Sequence, residues 1–65
     1  MSATHEQMLK LQKLRRSLPK GLFCFEKGGK FFLYREVPEA RNVLVLVRSN
    51  IDDFVRRALN SIEGS

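Results

Sequence analysis

The dipeptide Gly28-Gly29 constrains the fold of this chain more than any other feature, because it separates two runs that are rich in aromatic residues. The run before it covers Leu22–Glu26, the run after it covers Phe31–Val37, and both have the composition of β-strands. A tight hairpin turn needs positive φ angles at its centre, which glycine adopts without steric cost. The glycine pair therefore predicts an antiparallel hairpin with a two-residue loop.

Two helices are predicted at the ends of the chain. Thr4 and Gln7 have the spacing of a capping box, so we expect a helix to begin there and Pro19 to end it. Ser49 or Asn50 is predicted to cap the second helix. Apolar residues at helical spacing mark the buried side of that helix, namely Ile51, Phe54, Val55, Ala58, Leu59 and Ile62.

A third strand completes the predicted fold. The segment Asn42–Arg48 is aliphatic and β-branched, as is typical of a buried strand. We therefore predict one small α+β domain over residues 1–65. It is a three-stranded antiparallel meander with one N-terminal and one C-terminal helix, in the order α-β-β-β-α. A chain of 65 residues buries about 60% of its unfolded surface, which leaves little room for an enclosed catalytic cleft.

The hairpin register divides the predicted sheet into two faces, because successive strand residues point to opposite sides. One face collects Phe23, Phe25, Phe32, Tyr34, Val43, Val45 and Val47. The other collects Leu22, Cys24, Glu26, Phe31, Leu33, Arg35, Leu44, Leu46 and Arg48. We expect the first face to pack on the C-terminal helix, so its aromatic rings are interpreted as core rather than as stacking platforms for unpaired bases. The second face either lies under the N-terminal helix or is offered to a partner.

The net charge of the chain lies in its first half. Residues 1–30 carry seven Lys or Arg and two Glu, whereas residues 31–65 carry five basic and five acidic residues. A concentrated positive field attracts polyanions, of which nucleic acid is the simplest. The basic run from Lys10 to Lys20 contains no acidic residue. The alternative interpretation of this run is an ordinary solvated helix face.

The remaining residue types argue against catalysis. Cys24 and His5 are each the only residue of their type, so neither a disulfide nor a zinc site is expected. Asp52 and Asp53 are explained by the positive end of a helix. We therefore predict no enzymatic activity, metal, cofactor or small-molecule substrate. The sequence shows neither a secretory signal pattern nor an apolar run that would span a bilayer, so we expect a cytoplasmic protein without a membrane partner.

The stretch from Arg15 onward resembles the small N-terminal arm-site DNA-binding domain of phage tyrosine integrases. The resemblance is carried by Arg15-Arg16-x-Leu18-Pro19 before Leu22-Phe23, then by the glycine turn, the aromatic strand Phe31-Phe32-Leu33-Tyr34-Arg35 and Pro38. It implies a phage or other mobile-element origin and a sheet whose face away from the helix enters the major groove. The DNA contacts that it implies are Arg15, Arg16, Lys20, Lys30, Arg35 and Arg48.

The predicted function is a small non-enzymatic module that binds nucleic acid, specifically duplex DNA, through its basic N-terminal half. Backbone phosphates are assigned to Arg15, Arg16, Lys20, Lys27 and Lys30. Arg35 and Arg48 are assigned to base edges, because arginine can bond guanine through two parallel hydrogen bonds. The alternative is a protein-interaction module, an adaptor or inhibitor. It would dock a partner or a second copy on an apolar patch made of Phe31, Leu33, Leu44 and Leu46.

Overall fold

The computed structural model describes residues 4–63, which form two helices and three strands in the predicted order. The elements are α1 (His5–Ser17), β1 (Leu22–Lys27), β2 (Lys30–Arg35), β3 (Val43–Arg48) and α2 (Ile51–Glu63). The strands form one open antiparallel sheet in the order β1-β2-β3, in which β1 and β3 are the edges. The predicted α-β-β-β-α meander is confirmed.

The helices begin at the predicted capping residues. The Thr4 side chain accepts a hydrogen bond from the Gln7 main-chain nitrogen at 3.2 Å, and the Gln7 side chain accepts one from the Thr4 nitrogen at 2.8 Å. Asn50, rather than Ser49, caps α2, because its Oδ1 accepts a hydrogen bond from the Asp53 nitrogen at 3.0 Å. Both arrangements satisfy amide groups that have no partner inside their helix.

The hairpin between β1 and β2 has the predicted register. Gly28 and Gly29 have φ angles of 60° and 83°, so the turn adopts the left-handed conformation that the sequence predicted. The carboxylate of Glu26 accepts a hydrogen bond from the Gly29 nitrogen at 2.8 Å and fixes the turn. The paired residues of the two strands include Lys27 with Lys30, Phe25 with Phe32, and Phe23 with Tyr34.

The third strand follows the predicted register only in its second half. Phe32 lies opposite Val47 as predicted, whereas Tyr34 lies opposite Leu44 instead of Val45. The difference is a β-bulge, in which one strand carries an extra residue and reverses the facing of the residues beyond it. The bulge moves Leu44 to the side of Tyr34, and Val45 packs against the core instead.

Both helices pack on the same face of the sheet, and it is not the face that we expected α2 to cover. The buried core consists of Leu11 and Leu14 from α1, Cys24, Phe31 and Leu33 from the sheet, and Ile51, Phe54 and Ala58 from α2. The rings of Phe31 and Phe54 lie 5.8 Å apart. The prediction that α2 packs on the face of Phe23 and Tyr34 is therefore wrong. Two helices that each turn an apolar side to the same face of the sheet make a two-layer domain and leave the other face to solvent.

The uncovered side of the sheet is called the open face from here on. Its strand residues, assigned from the cross-strand pairs, are Phe23, Phe25, Lys27, Lys30, Phe32, Tyr34, Leu44 and Val47. The opposite side, on which α1 and α2 pack, is called the covered face.

Candidate functional site: the open face of the sheet

Four aromatic rings form a continuous stack on the open face, which we call the ring ladder. The Phe25 ring lies at its centre, with its centroid 5.2 Å from that of Phe32 and 5.5 Å from that of Tyr34. Tyr34 in turn lies 5.8 Å from Phe23. The interplanar angles are 13°, 21° and 14°, so all three contacts are stacked. In the described part of the chain, none of these four rings belongs to the core or packs against it.

The open face is unusually apolar for the solvated side of a sheet. An antiparallel sheet with one buried face normally presents polar residues on the other. Here Phe23 is 37% exposed and Leu44 is 47% exposed, while Phe25, Phe32 and Tyr34 are half-buried. Contiguous exposed apolar surface of this kind marks a site of interaction more often than a single exposed side chain does.

The charge on the open face is entirely positive. Lys27 and Lys30 lie side by side at the hairpin tip, both exposed, and they share the face of the nearest rings of the ladder, Phe25 and Phe32. Within residues 4–63, neither lysine takes part in an ion pair. The neighbouring carboxylate of Glu26 belongs to the covered face and bonds the turn. An anionic ligand on the rings would therefore meet two unpaired cations and no strand carboxylate.

The structure does not bring the seven predicted DNA contacts to one surface. Only Lys27 and Lys30 lie on the open face, whereas Arg15 and Arg16 belong to α1, behind the sheet. The Nε of Arg15 donates a hydrogen bond to the main-chain oxygen of Cys24 at 3.0 Å. Lys20 is exposed between α1 and β1. The seven predicted contacts are thus divided between the hairpin tip and the helical side of the domain.

Arg35 and Arg48 lie on the second face as expected, but the helices cover that face. Arg48 stands 3.5 Å from the Asp53 carboxylate and donates a hydrogen bond to the Val47 oxygen at 2.7 Å. Arg35 pairs with Leu22 at the end of the hairpin, also on the covered face. Arg35 is exposed and the side chain of Arg48 is 40% exposed, so the assignment of these two arginines to base edges stays a prediction. It concerns the side of the sheet that faces the helices, opposite the ring ladder.

The predicted protein interface is corrected. Phe31 and Leu33 are 0% exposed and form the centre of the core. Leu46 is half-buried against the same core, and only Leu44 is well exposed, on the open face. The four residues therefore do not form a surface patch, because alternation and the bulge distribute them over two faces.

Asp52 and Asp53, in the first turn of α2, are engaged with cations of the two helices. Hydrogen bonds from Arg56 at 2.8 Å and Arg57 at 3.0 Å lower the pKa of the Asp53 carboxyl below its usual value. The hydrogen bond that Lys10 donates to Asp52 at 2.8 Å raises the pKa of the Lys10 ammonium. These carboxylates therefore neutralise cations on the helical side of the sheet, and they do not neutralise the lysines of the open face.

A groove of about 490 Å³ runs between the two helices. Its floor contains Leu14, Val55 and Leu59, and its rim contains Lys10 and Arg56. Both of these cations are already paired with carboxylates of α2. Lys13 also lines the groove and takes part in no ion pair within residues 4–63. The groove therefore offers an anion one unpaired cation, whereas the hairpin tip offers two.

The structure adds three observations that bear on other classes of site. Within residues 4–63, no group of three or more His, Cys, Asp or Glu side chains is placed to hold a metal ion. No helix in the same range is long and apolar enough to cross a membrane. The buried thiol of Cys24 has a raised pKa because burial disfavours its charged form, so it is a poor nucleophile.

Comparison with known proteins found no match among protein-family models, curated proteins or solved structures. The resemblance to integrase arm-site domains remains a prediction from the sequence.

Proposed function

We propose that this protein is a small non-enzymatic module that binds nucleic acid on the open face of its sheet. The observation that carries the proposal is the position of the ring ladder beside Lys27 and Lys30, on a face without an acidic strand residue. Aromatic rings interleaved with cations are the surface chemistry that nucleic acids require. The basic helix α1, which the sequence favoured, takes a secondary place in this proposal.

The two lysines supply contacts to phosphates, and the rings supply contacts to the rest of the nucleotide. Phosphate contacts by lysine release condensed counterions, so the affinity falls as salt rises. The chain's charge of +5 at neutral pH adds a long-range attraction that speeds association with a polyanion. The exposed cations of α1 contribute to this attraction without touching the ligand.

The test is a fluorescence-anisotropy titration of labelled oligonucleotides at about 50 and about 200 mM salt. The informative variant is the double substitution Lys27→Gln/Lys30→Gln. Its matched control is Lys13→Gln/Arg16→Gln, which removes the same charge from exposed positions of α1. We expect salt-dependent binding that the hairpin-tip variant weakens strongly and the α1 control weakens little.

The opposite ranking of the two variants would move the binding site to α1 and contradict the proposal. Absence of binding at the lower salt would refute nucleic-acid binding altogether. In that event the exposed rings and Leu44 would point to a protein or a second copy of the chain as the occupant of the open face. The apparent mass at two protein concentrations would then show whether the chain associates with itself.

A further inference from the structure

We propose that the ligand of the open face is single-stranded nucleic acid, with unpaired bases stacked on the ring ladder and the backbone held at Lys27 and Lys30. This inference rests on the proposed function and names its substrate class. The ring ladder and the two lysines occupy successive positions along the hairpin, with the lysine pair at the tip, Phe25 and Phe32 next, and Phe23 and Tyr34 beyond them.

The ring ladder offers what unpaired bases need. Every base has a π face, so stacking on aromatic side chains binds single strands with little dependence on sequence. The contacts from Phe32 through Phe25 and Tyr34 to Phe23 form one uninterrupted series of stacked rings. An incoming base extends a stack that already exists, and the side chains need no large rearrangement because the rings hold one another in place.

The distances along the hairpin allow the strand to meet lysines and rings in turn. Two residues along a strand span about 6.6 Å. The first ring pair thus lies about 6.6 Å from the lysine pair, and the second ring pair lies about as far again. A nucleotide segment that follows the hairpin therefore has a phosphate site at the tip and the ring ladder behind it, whose outer rings are Phe32 at one end and Phe23 at the other.

Duplex DNA is a poorer match to the open face. The bases of a duplex are stacked on one another, so a protein meets their edges and reads them through hydrogen bonds. Apart from the two lysines, the Tyr34 hydroxyl is the one polar side-chain group among the strand residues that the structure places on this face. The arginines that suit guanine edges, Arg35 and Arg48, are on the covered face.

The ring ladder is also larger than the stability of the sheet demands. The core is complete without it, since both helices close on Phe31 and Leu33 from the other side. A solvated face can be stabilised equally by β-branched and polar cross-strand pairs. Four rings in contact with one another and with solvent therefore indicate a surface adapted to a flat apolar ligand with charged flanks.

The experiment compares one set of labelled ligands on the wild-type protein. They are an oligothymidylate of about 12 nucleotides, the matching oligouridylate, a mixed-sequence duplex, and polyphosphate as a competitor without bases. We expect both single strands to bind at least about tenfold more tightly than the duplex and to resist competition by polyphosphate at equal charge. Comparison of the thymidylate with the uridylate separates DNA from RNA, whose unpaired bases offer the same stacking chemistry.

The diagnostic variant is Phe25→Leu, which removes the central ring and keeps an apolar side chain. Loss of the ring that joins Phe32 to Tyr34 interrupts the stack that the bases extend, which is expected to weaken single-strand binding about 5- to 150-fold and to leave the salt dependence unchanged. Leu9→Ala is the matched control, because it shortens an exposed apolar side chain of α1, away from the open face. If Phe25→Leu does not fold, as judged by circular dichroism, Phe23→Leu at the exposed end of the ladder replaces it.

Equal affinities for duplex and single strand, with no effect of Phe25→Leu, would overturn this inference and leave the proposed function intact. Absence of salt-dependent binding to every ligand would refute both. A loss of duplex binding in Phe25→Leu equal to the loss of single-strand binding would also contradict base stacking, because duplex bases do not reach the rings.

Discussion

Arg15 donates a hydrogen bond from its Nε to the main-chain oxygen of Cys24, at 3.0 Å. Cys24 lies in the edge strand β1, where alternate residues direct their main-chain groups away from the neighbouring strand. The contact therefore satisfies an edge carbonyl that would otherwise be open to pairing with another chain. A residue that the sequence assigned to DNA is engaged in joining α1 to the sheet.

Replacing Arg15 tests whether its role is structural. We expect Arg15→Ala to lower the free energy of unfolding by about 1–2 kcal/mol, because the part-buried hydrogen bond to Cys24 is lost. Oligonucleotide affinity at fixed salt should stay within about threefold of wild type. Urea denaturation and anisotropy measure the two quantities.

The control for that prediction is Arg16→Ala, which removes the same charge from the next residue of α1. Arg16 is exposed, and we expect its loss to change stability by less than about 0.5 kcal/mol. Binding abolished by Arg15→Ala with an unchanged unfolding midpoint would contradict the structural role.

Phe31 and Phe32 are neighbours in β2 on opposite sides of the sheet, and their substitutions should differ accordingly. Phe31→Ala should lower the free energy of unfolding by about 3–5 kcal/mol, because it leaves a cavity against Phe54. Phe32→Ala should lower the free energy of unfolding by about 1 kcal/mol, since it removes a cross-strand pair on the open face. Urea denaturation measures both, with Phe31→Leu as the milder variant if Phe31→Ala does not fold. Equal losses of stability in the two alanine variants would contradict the assignment of Phe31 and Phe32 to opposite faces.

Asn50 is expected to contribute as the cap of α2. Asn50→Ala removes the hydrogen bond from the Asp53 nitrogen and should lower the free energy of unfolding by about 1 kcal/mol. Ser49→Ala is the matched control, because Ser49 is exposed and was the competing candidate. Thermal unfolding distinguishes the two, and a larger effect of Ser49→Ala would show that the cap is assigned to the wrong residue.

Asp53 should make stability depend on pH in the acidic range. The folded-state pKa of its carboxyl is lowered, first by the hydrogen bond from Arg56, so folding favours the charged form. The stabilisation is present above the unfolded-state pKa near 3.8 and is lost as pH falls through the lower folded-state value. Asp53→Asn should therefore flatten the acid limb of a plot of unfolding midpoint against pH.

The control for Asp53 is Glu36→Gln, because Glu36 is exposed and no ion pair in the described range involves it. We expect the acid limb of this variant to match that of wild type. If the acid limb of Asp53→Asn had the same slope as that of wild type, the ion pairs with Arg56 and Arg57 would not contribute to the pH dependence of stability.

The order of elements was predictable because its signals are local. A capping box at Thr4, a glycine pair in the turn and the 3.6-residue period of α2 each act within a few residues. The choice between the two sheet faces is not local. Each face carries enough large apolar residues to form a core, and the side on which the helices cross is decided by how their apolar stripes pack together. The bulge at Val45 was likewise not predictable, because no glycine or proline in the strand indicates its position.

The candidate site was predicted in part. Lys27 and Lys30 follow from the turn, and their shared face follows from the register. The rings of Phe25 and Phe32 were placed together but interpreted as core, because composition does not reveal exposure. The contact of Arg48 with Asp53 was not predicted, because α2 was expected on the other side of the sheet.

The most direct test uses the one tyrosine of a chain that has no tryptophan. Tyr34 belongs to the ring ladder, so its intrinsic fluorescence reports on the open face alone. Titration with oligothymidylate, corrected for absorption by the bases, should change this fluorescence with the affinity that anisotropy gives, and polyphosphate should leave it nearly constant. Binding of oligothymidylate without any change at Tyr34 would place the ligand elsewhere and contradict the central claim that the open face binds nucleic acid.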